Sequence, residues 1–180
     1  VILSAMENMI TFQEYTQKIQ TCRLPRFDEL PDMELYADQV IQYLNPLLSV
    51  LQFDEHEDQI TPSMINNYVR MKLLPPAHKK RYDRRHIAYL TAISIYKQLY
   101  SIDHIRSMIL FQNEMFDISV SYDYFCTELE NALHSTFRSD PAMPKDTTAT
   151  NREERVFVRA SCLAFSWQLK AEKYLQYKSR

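Results

Sequence analysis

Between residues 61 and 86 the chain gathers side chains able to bind a polyanion. Ser63, Asn66, Asn67 and Arg70 recur at i, i+3, i+4 and i+7, so on a helix they form one polar stripe. Each can reach a base edge or a phosphate. Asparagine pairs bidentately with adenine, and arginine with guanine or a phosphate oxygen. Ile65, Tyr68 and Val69 fall on the other side of the same helix and supply a packing face. From Arg70 to His86 the basic residues are Arg70, Lys72, Lys79, Lys80, Arg81, Arg84 and Arg85, against a single acid, Asp83, in a chain whose net charge is −2. Such asymmetry localises attraction for phosphates, which give DNA-binding surfaces most of their affinity and their salt dependence. The plainer alternative is a solvated polar face whose basic loop pairs with the acidic segment Asp54-Glu55-His56-Glu57-Asp58.

Other chemistry is poorly supplied. The sequence contains no glycine. That excludes a Gly-rich phosphate loop, the dinucleotide fingerprint, the G-x-S-x-G nucleophile elbow and a calcium loop with its turn glycine. A primed hairpin turn is expected to use Asn or Asp instead. Cys22, Cys126 and Cys162 are scattered and odd in number, which argues against a disulfide framework and for a reducing cytoplasm. His56, His78, His86, His104 and His134 lack ligand spacing with each other or with the cysteines, so no metal or other cofactor is expected. No nucleophile has a base at a recognisable spacing, and the expectation is a protein that is not an enzyme. There is no 18-residue apolar run, so no membrane partner is expected.

Hydrophobic residues make up 46% of the 180, enough for a real core. Together with the missing glycine, their periodicity predicts an all-α protein. A short helix is expected over 11–20, capped by Thr11. A second is expected after Asp32, with Met33, Tyr36, Ala37, Val40, Ile41 and Leu44 on one face, broken at Asn45-Pro46 with a restart through Leu51 left open. Thr61-Pro62 opens a third over 62–72, ending before Pro75-Pro76. Asp83 opens a fourth that runs to about Tyr100 and is apolar around most of its circumference, which marks it as the buried centre. Ser101 caps a fifth, and 121–137 reads as a sixth. After a Pro-containing linker over 139–150, a capping-box pattern from Thr150 to Glu153 starts a last helix. It carries Val156, Ala160, Leu163, Ala164, Trp167, Ala171, Tyr174 and Leu175 on one stripe. That stripe closes the core, pairs with a second subunit or holds an effector. Tyr36, Tyr43, Tyr68, Tyr89 and Tyr96 fall at helical packing positions.

The segment from Thr61 through Ile65-Asn66-Asn67-Tyr68 to Leu73-Leu74-Pro75-Pro76 resembles the recognition helix and following residues of MerR-type winged helix-turn-helix proteins. The likeness continues through Arg81-Tyr82-Asp83, His86, Ile87 and Leu90, and through Ser101-Ile102-Asp103-His104-Ile105. Asn66, Asn67 and Lys72 stand where that family has arginine, tyrosine and glycine. The stretch from Leu24-Pro25 through Glu29-Leu30-Pro31-Asp32 to Val40 is similar to an uncharacterised bacterial family that joins this signature to a Met-Ile-Asn-Asn-Tyr-Val helix. The first resemblance implies a DNA-docking unit with a short wing; the second implies shared architecture and a bacterial source.

The expectation is therefore an all-α protein with N-terminal helices and a MerR-like helix-turn-helix unit over 1–115, its core at about 32–105. A C-terminal helical region follows over 116–180. Its partner would be double-stranded DNA, read as a homodimer, with Ser63, Asn66, Asn67 and Arg70 at base edges. Lys72, Lys79, Lys80, Arg81, Tyr82, Arg84 and Arg85 would lie at phosphates. A small-molecule effector is left open. The alternative is a protein-interaction module on the same scaffold that no longer binds DNA.

Overall fold

A computed structural model describes residues 11–54, 60–144 and 153–178. Among them are seven α-helices and no strands: α1 (Phe12–Gln20), α2 (Ala37–Leu48), α3 (Pro62–Arg70), α4 (Arg84–Tyr96), α5 (Ile102–Met115), α6 (Ile118–Thr136) and α7 (Glu153–Lys178). The all-helical class is as the composition and periodicity predict.

Local capping sets most boundaries. Thr11 and Glu14 form a reciprocal capping box at α1. The Thr61 hydroxyl accepts from the Met64 amide with Pro62 next in line, and Ser101 accepts from the His104 amide. The start of α2 differs from expectation. Asp32 caps nothing; it sits 3.1 Å from Arg84. The chain stays non-helical to Leu35, whose amide and carbonyl pair with those of Tyr82, both at 2.8 Å. The helix therefore begins only after Tyr36, and Met33 and Tyr36 are exposed. Pro46 does not break α2. It removes one bond to the preceding turn, and the helix continues to Leu48 before tightening into a 3-10 turn over Ser49–Leu51. Beside it, the Asn45 side-chain amide binds both the N–H and the carbonyl of Ile60, at 2.9 and 3.1 Å. Helix α4 ends at Tyr96, four residues early, and a turn joins it to α5. Helix α6 starts at Ile118 rather than Ser121. Thr150 lies outside the described residues.

Buried side chains from Tyr15 to Leu169 form one continuous core. Helix α4 sits at its middle, packed against α2 on one side and α6 on the other. Helix α6 in turn receives α1, α5 and most extensively α7. The apolar stripe predicted on α7 points the other way. The core is met by Val158, Cys162, Phe165 and Leu169, whereas Val156, Trp167, Tyr174 and Leu175 are exposed. The alternation misleads because Ser161, Ser166 and Lys173 are buried on the inner face while apolar residues occupy the outer one.

The segment before α2 is fastened to α6 by charge. Arg26 meets Glu130 through two parallel hydrogen bonds of 2.7 Å, with side chains only 27% and 13% exposed. Glu130 also accepts from the Leu24 amide, and Asp123 accepts from the Phe27 amide. The pair holds the Arg26 guanidinium firmly protonated, its pKa raised chiefly by the hydrogen bonds to Glu130. Removing one partner of a mostly buried pair leaves the other charge uncompensated. Glu130→Ala is accordingly expected to lower unfolding free energy by roughly 2–4 kcal/mol in a denaturant titration. An unchanged midpoint would remove the clamp from any part in stability.

Candidate nucleic-acid interface

Helix α3 packs through Ile65 and Tyr68 against α2, and its other side is open. Ser63, Asn66 and Arg70 are exposed and Asn67 is half-buried; with Met64 they line a shallow depression. The Arg70 guanidinium donates to the Asn67 side-chain oxygen at 2.6 Å. That bond leaves the Asn67 amide hydrogens and the remaining guanidinium donors to face outward. Helix α7 packs on α6 and α1 and does not cover this stripe.

The end of α3 shows how the chain turns without glycine. Met71 caps the helix, and Lys72 stands one position beyond it at φ 59°. The Leu73 amide reaches back to the Tyr68 carbonyl at 2.9 Å and the Lys72 amide to the Val69 carbonyl at 3.0 Å. This is the Schellman pattern, in which glycine usually takes the left-handed place. Lys72 holds it with a Cβ, and its side chain is exposed.

The following turn repeats the device twice. His78 and Arg81 pair with each other, amide to carbonyl in both directions, at 3.1 and 2.8 Å. The two residues between them, Lys79 and Lys80, have φ 48° and 63°. Positive φ at both central positions of a two-residue hairpin marks a type I′ turn, the one favoured by Asn-Gly. The expectation that Asn or Asp would fill such a turn is corrected: two lysines do. Each gives up roughly 1 kcal/mol to the left-handed region. The result is a tight, cationic tip with both side chains exposed. Next to it, the Arg81 guanidinium lies 4.6 Å over the Tyr36 ring and donates to its hydroxyl at 3.0 Å. Tyr36, read from its spacing as a packing residue, is half-exposed and braces the arginine.

Other members of the basic run are spoken for. Tyr82 is only 6% exposed; its ring packs edge-on to His86 and its backbone pairs with Leu35, so it anchors the base of the hairpin. Arg84 is pinned between Asp28 and Asp32 over the Phe27 ring. Arg85 is exposed but doubly hydrogen-bonded to Asp83, at 2.9 and 2.7 Å. Among the described residues, no acid lies within ion-pair distance of Lys72, Lys79, Lys80 or Arg81. The cationic surface is therefore narrower than the sequence suggests, and centred on the turn.

Asp83 organises the junction. Its side chain accepts from the Arg85 and His86 amides as the cap of α4. Burial works to raise its pKa, but hydrogen bonds from Arg85 and His86, with the charge of His86, hold it down to about 2. Burial pushes the Cys22 thiol up to about 11 and the Cys126 thiol to about 12, and Cys162 higher still. Among the described residues no three His, Cys, Asp or Glu side chains gather as a metal site would require. Nor is any of their helices long and apolar enough to cross a membrane.

These features define an all-helical protein that carries a cationic two-residue hairpin between a helix with an open polar face and a buried helix. Residues 25–125, more than half of the chain, match the family model described as Domain of unknown function (DUF1836), and the chain belongs to that family. No curated protein and no solved structure matches the chain.

Two outcomes test this geometry. Lys72→Gly removes the left-handed penalty and is expected to stabilise the fold by about 0.5–1 kcal/mol, read from the denaturant midpoint. A loss of stability there would mean that Lys72 is not left-handed. The Asp83 pKa is depressed on folding, so its contribution is present above pH 3.8 and is lost as pH falls towards about 2. Asp83→Ala is expected to cost about 1 kcal/mol at neutral pH, the loss of an N-cap, and to flatten the stability profile across that acidic window.

Proposed function

We propose that this protein docks onto double-stranded DNA, with α3 presenting Ser63, Asn66, Asn67 and Arg70 to the major groove. The hairpin tip of Lys79, Lys80 and Arg81, with Lys72 beside α3, would hold the phosphate backbone. The observation that carries the reading is the turn. A chain that accepts two strained lysines where Asn-Gly would relax gains nothing in stability, and strain of this kind marks functional positions. What it gains is two exposed ammonium groups on a rigid support, bracketed by Arg81. The order α2, α3, hairpin, α4, α5 supports a MerR-like winged helix-turn-helix arrangement. So does a left-handed Lys72 at that family's glycine position. On this reading the protein is a cytoplasmic, bacterial transcriptional regulator rather than an enzyme. Tyr82, Arg84 and Arg85 support the surface instead of touching DNA.

The alternative is a protein-interaction module on the same scaffold. It is favoured by the pairing of Arg84 and Arg85 with carboxylates, which withdraws their charge from the face.

Fluorescence anisotropy with duplex DNA across a salt series separates the two. DNA docking predicts an affinity that falls steeply with salt. In Lys79→Ala/Lys80→Ala the log–log salt slope is expected to shrink by about 2, one for each phosphate that is no longer neutralised. The sharper variant is Lys79→Asn/Lys80→Gly. It relaxes the turn, so the melting temperature should rise while DNA affinity drops about tenfold or more. Undiminished DNA binding in that variant would overturn the role of the tip. No salt-sensitive affinity in the unmodified protein would decide for the interaction module.

A further inference from the structure

The outer face of α7 is apolar from end to end. Val156, Phe157, Ala160, Ala164, Trp167, Ala171, Tyr174 and Leu175 are all exposed, the large side chains among them from 37% at Phe157 to 60% at Leu175. On a helix of 3.6 residues per turn these positions fall within one stripe about 100° wide, opposite Cys162, Phe165 and Leu169. The stripe is closed at its ends by charges of opposite sign, Glu153 at the first residue of the helix and Lys178 at the last. A face of this length in a single domain is larger than scattered surface apolar residues produce.

The composition of the face specifies its partner. Rotation by a two-fold axis near residues 165 and 166 brings the stripe onto itself antiparallel. Glu153 then meets Lys178 of a second copy. Val156 falls opposite Tyr174, Phe157 opposite Leu175, Ala160 opposite Ala171, and Ala164 opposite Trp167, each to within one residue. Opposite charges coincide, the two alanine pairs allow close approach on either side of the axis, and each large ring falls beside a smaller side chain. A parallel arrangement would instead set Glu153 against Glu153 and Lys178 against Lys178. The groove beside the start of α7, in which Tyr100, Met108, Phe111 and Phe157 are joined by His104, Ser107 and Glu153, extends the surface towards the place where Tyr174 and Leu175 of the second copy would arrive.

We infer that α7 is the interface of a two-fold homodimer, an antiparallel helix pair centred between Ala164 and Trp167. The interface is isologous, as closed dimers require, and the register follows from size and charge together. It does not depend on DNA docking, since the α3 face and the hairpin tip lie on other elements.

Sedimentation velocity on the full chain from 0.5 to 50 μM tests the inference. The unmodified protein is expected to sediment as a dimer. Ala164→Glu, which places a charge at the axis, is expected to weaken association at least a hundredfold. It should leave the circular dichroism and melting of the dilute monomer unchanged, because the position is already solvent-exposed. Trp167 is the only tryptophan, so its emission should move to the red in that variant at equal concentration. Glu153→Lys and Lys178→Glu are each expected to weaken the dimer about five- to tenfold, and the double reversal to restore it. A monomeric protein at 50 μM, a dimer indifferent to Ala164→Glu, or a double reversal no better than the singles would each overturn the antiparallel pair.

Discussion

From His86 to Tyr96 no residue of α4 is exposed: nine are buried, and Tyr89 and Ala92 partly so. A helix with so little polar surface forms only where neighbours enclose it, and the other elements are arranged as that enclosure. Helix α2 covers one side and α6 the other. Because α4 begins at Asp83, directly after the hairpin, burying α4 also fixes where the hairpin starts. Tyr82 is drawn under the surface against His86, its backbone pairs with Leu35, and the tip at Lys79 and Lys80 is left projecting. The core thus fixes the base of the candidate site, and the His78–Arg81 pairing closes its tip.

The lack of glycine sharpens this arrangement. A chain that needs left-handed residues to end α3 and to close the hairpin has to place side chains there, and here all three are lysines. Backbone strain and positive charge coincide at the same positions. Elsewhere in the basic run charge is neutralised by geometry: Asp28, Asp32 and Asp83 engage Arg84 and Arg85. The protein separates cations that build the fold from cations that face outward, and the boundary between the two runs between Arg81 and Arg84.

Two different surfaces lie on different elements. In the proposed function the polar face of α3 and the hairpin meet a polyanion. In the inference above the outer face of α7 meets a copy of itself. They are joined through α4 and α6, which share one core, and the Arg26–Glu130 clamp ties the segment before α2 to α6 as well. Two such surfaces related by a two-fold axis would present a pair of α3 helices at once, the geometry by which paired half-sites are read on a duplex.

Whatever depends on near neighbours was legible in the amino-acid order. Thr11, Thr61, Asp83 and Ser101 cap the helices that the local pattern assigns to them, because a cap is made within three residues. The all-helical class and the central burial of α4 were likewise legible, since both are written in local periodicity. The stripe of Ser63, Asn66, Asn67 and Arg70 was also readable as one face. Features set by residues distant in the chain emerged only once the helices were packed together. Leu35 delays α2 because it pairs with Tyr82, forty-seven positions on. Arg84 and Tyr82 turn inward because Asp28, Asp32 and Leu35 wait there. The apolar stripe of α7 faces out because the polar residues of its inner face find partners when packed: Ser166 donates to the Ala132 carbonyl of α6 and Lys173 to the Phe53 carbonyl, so hydrophobicity alone does not say which face the helix hides.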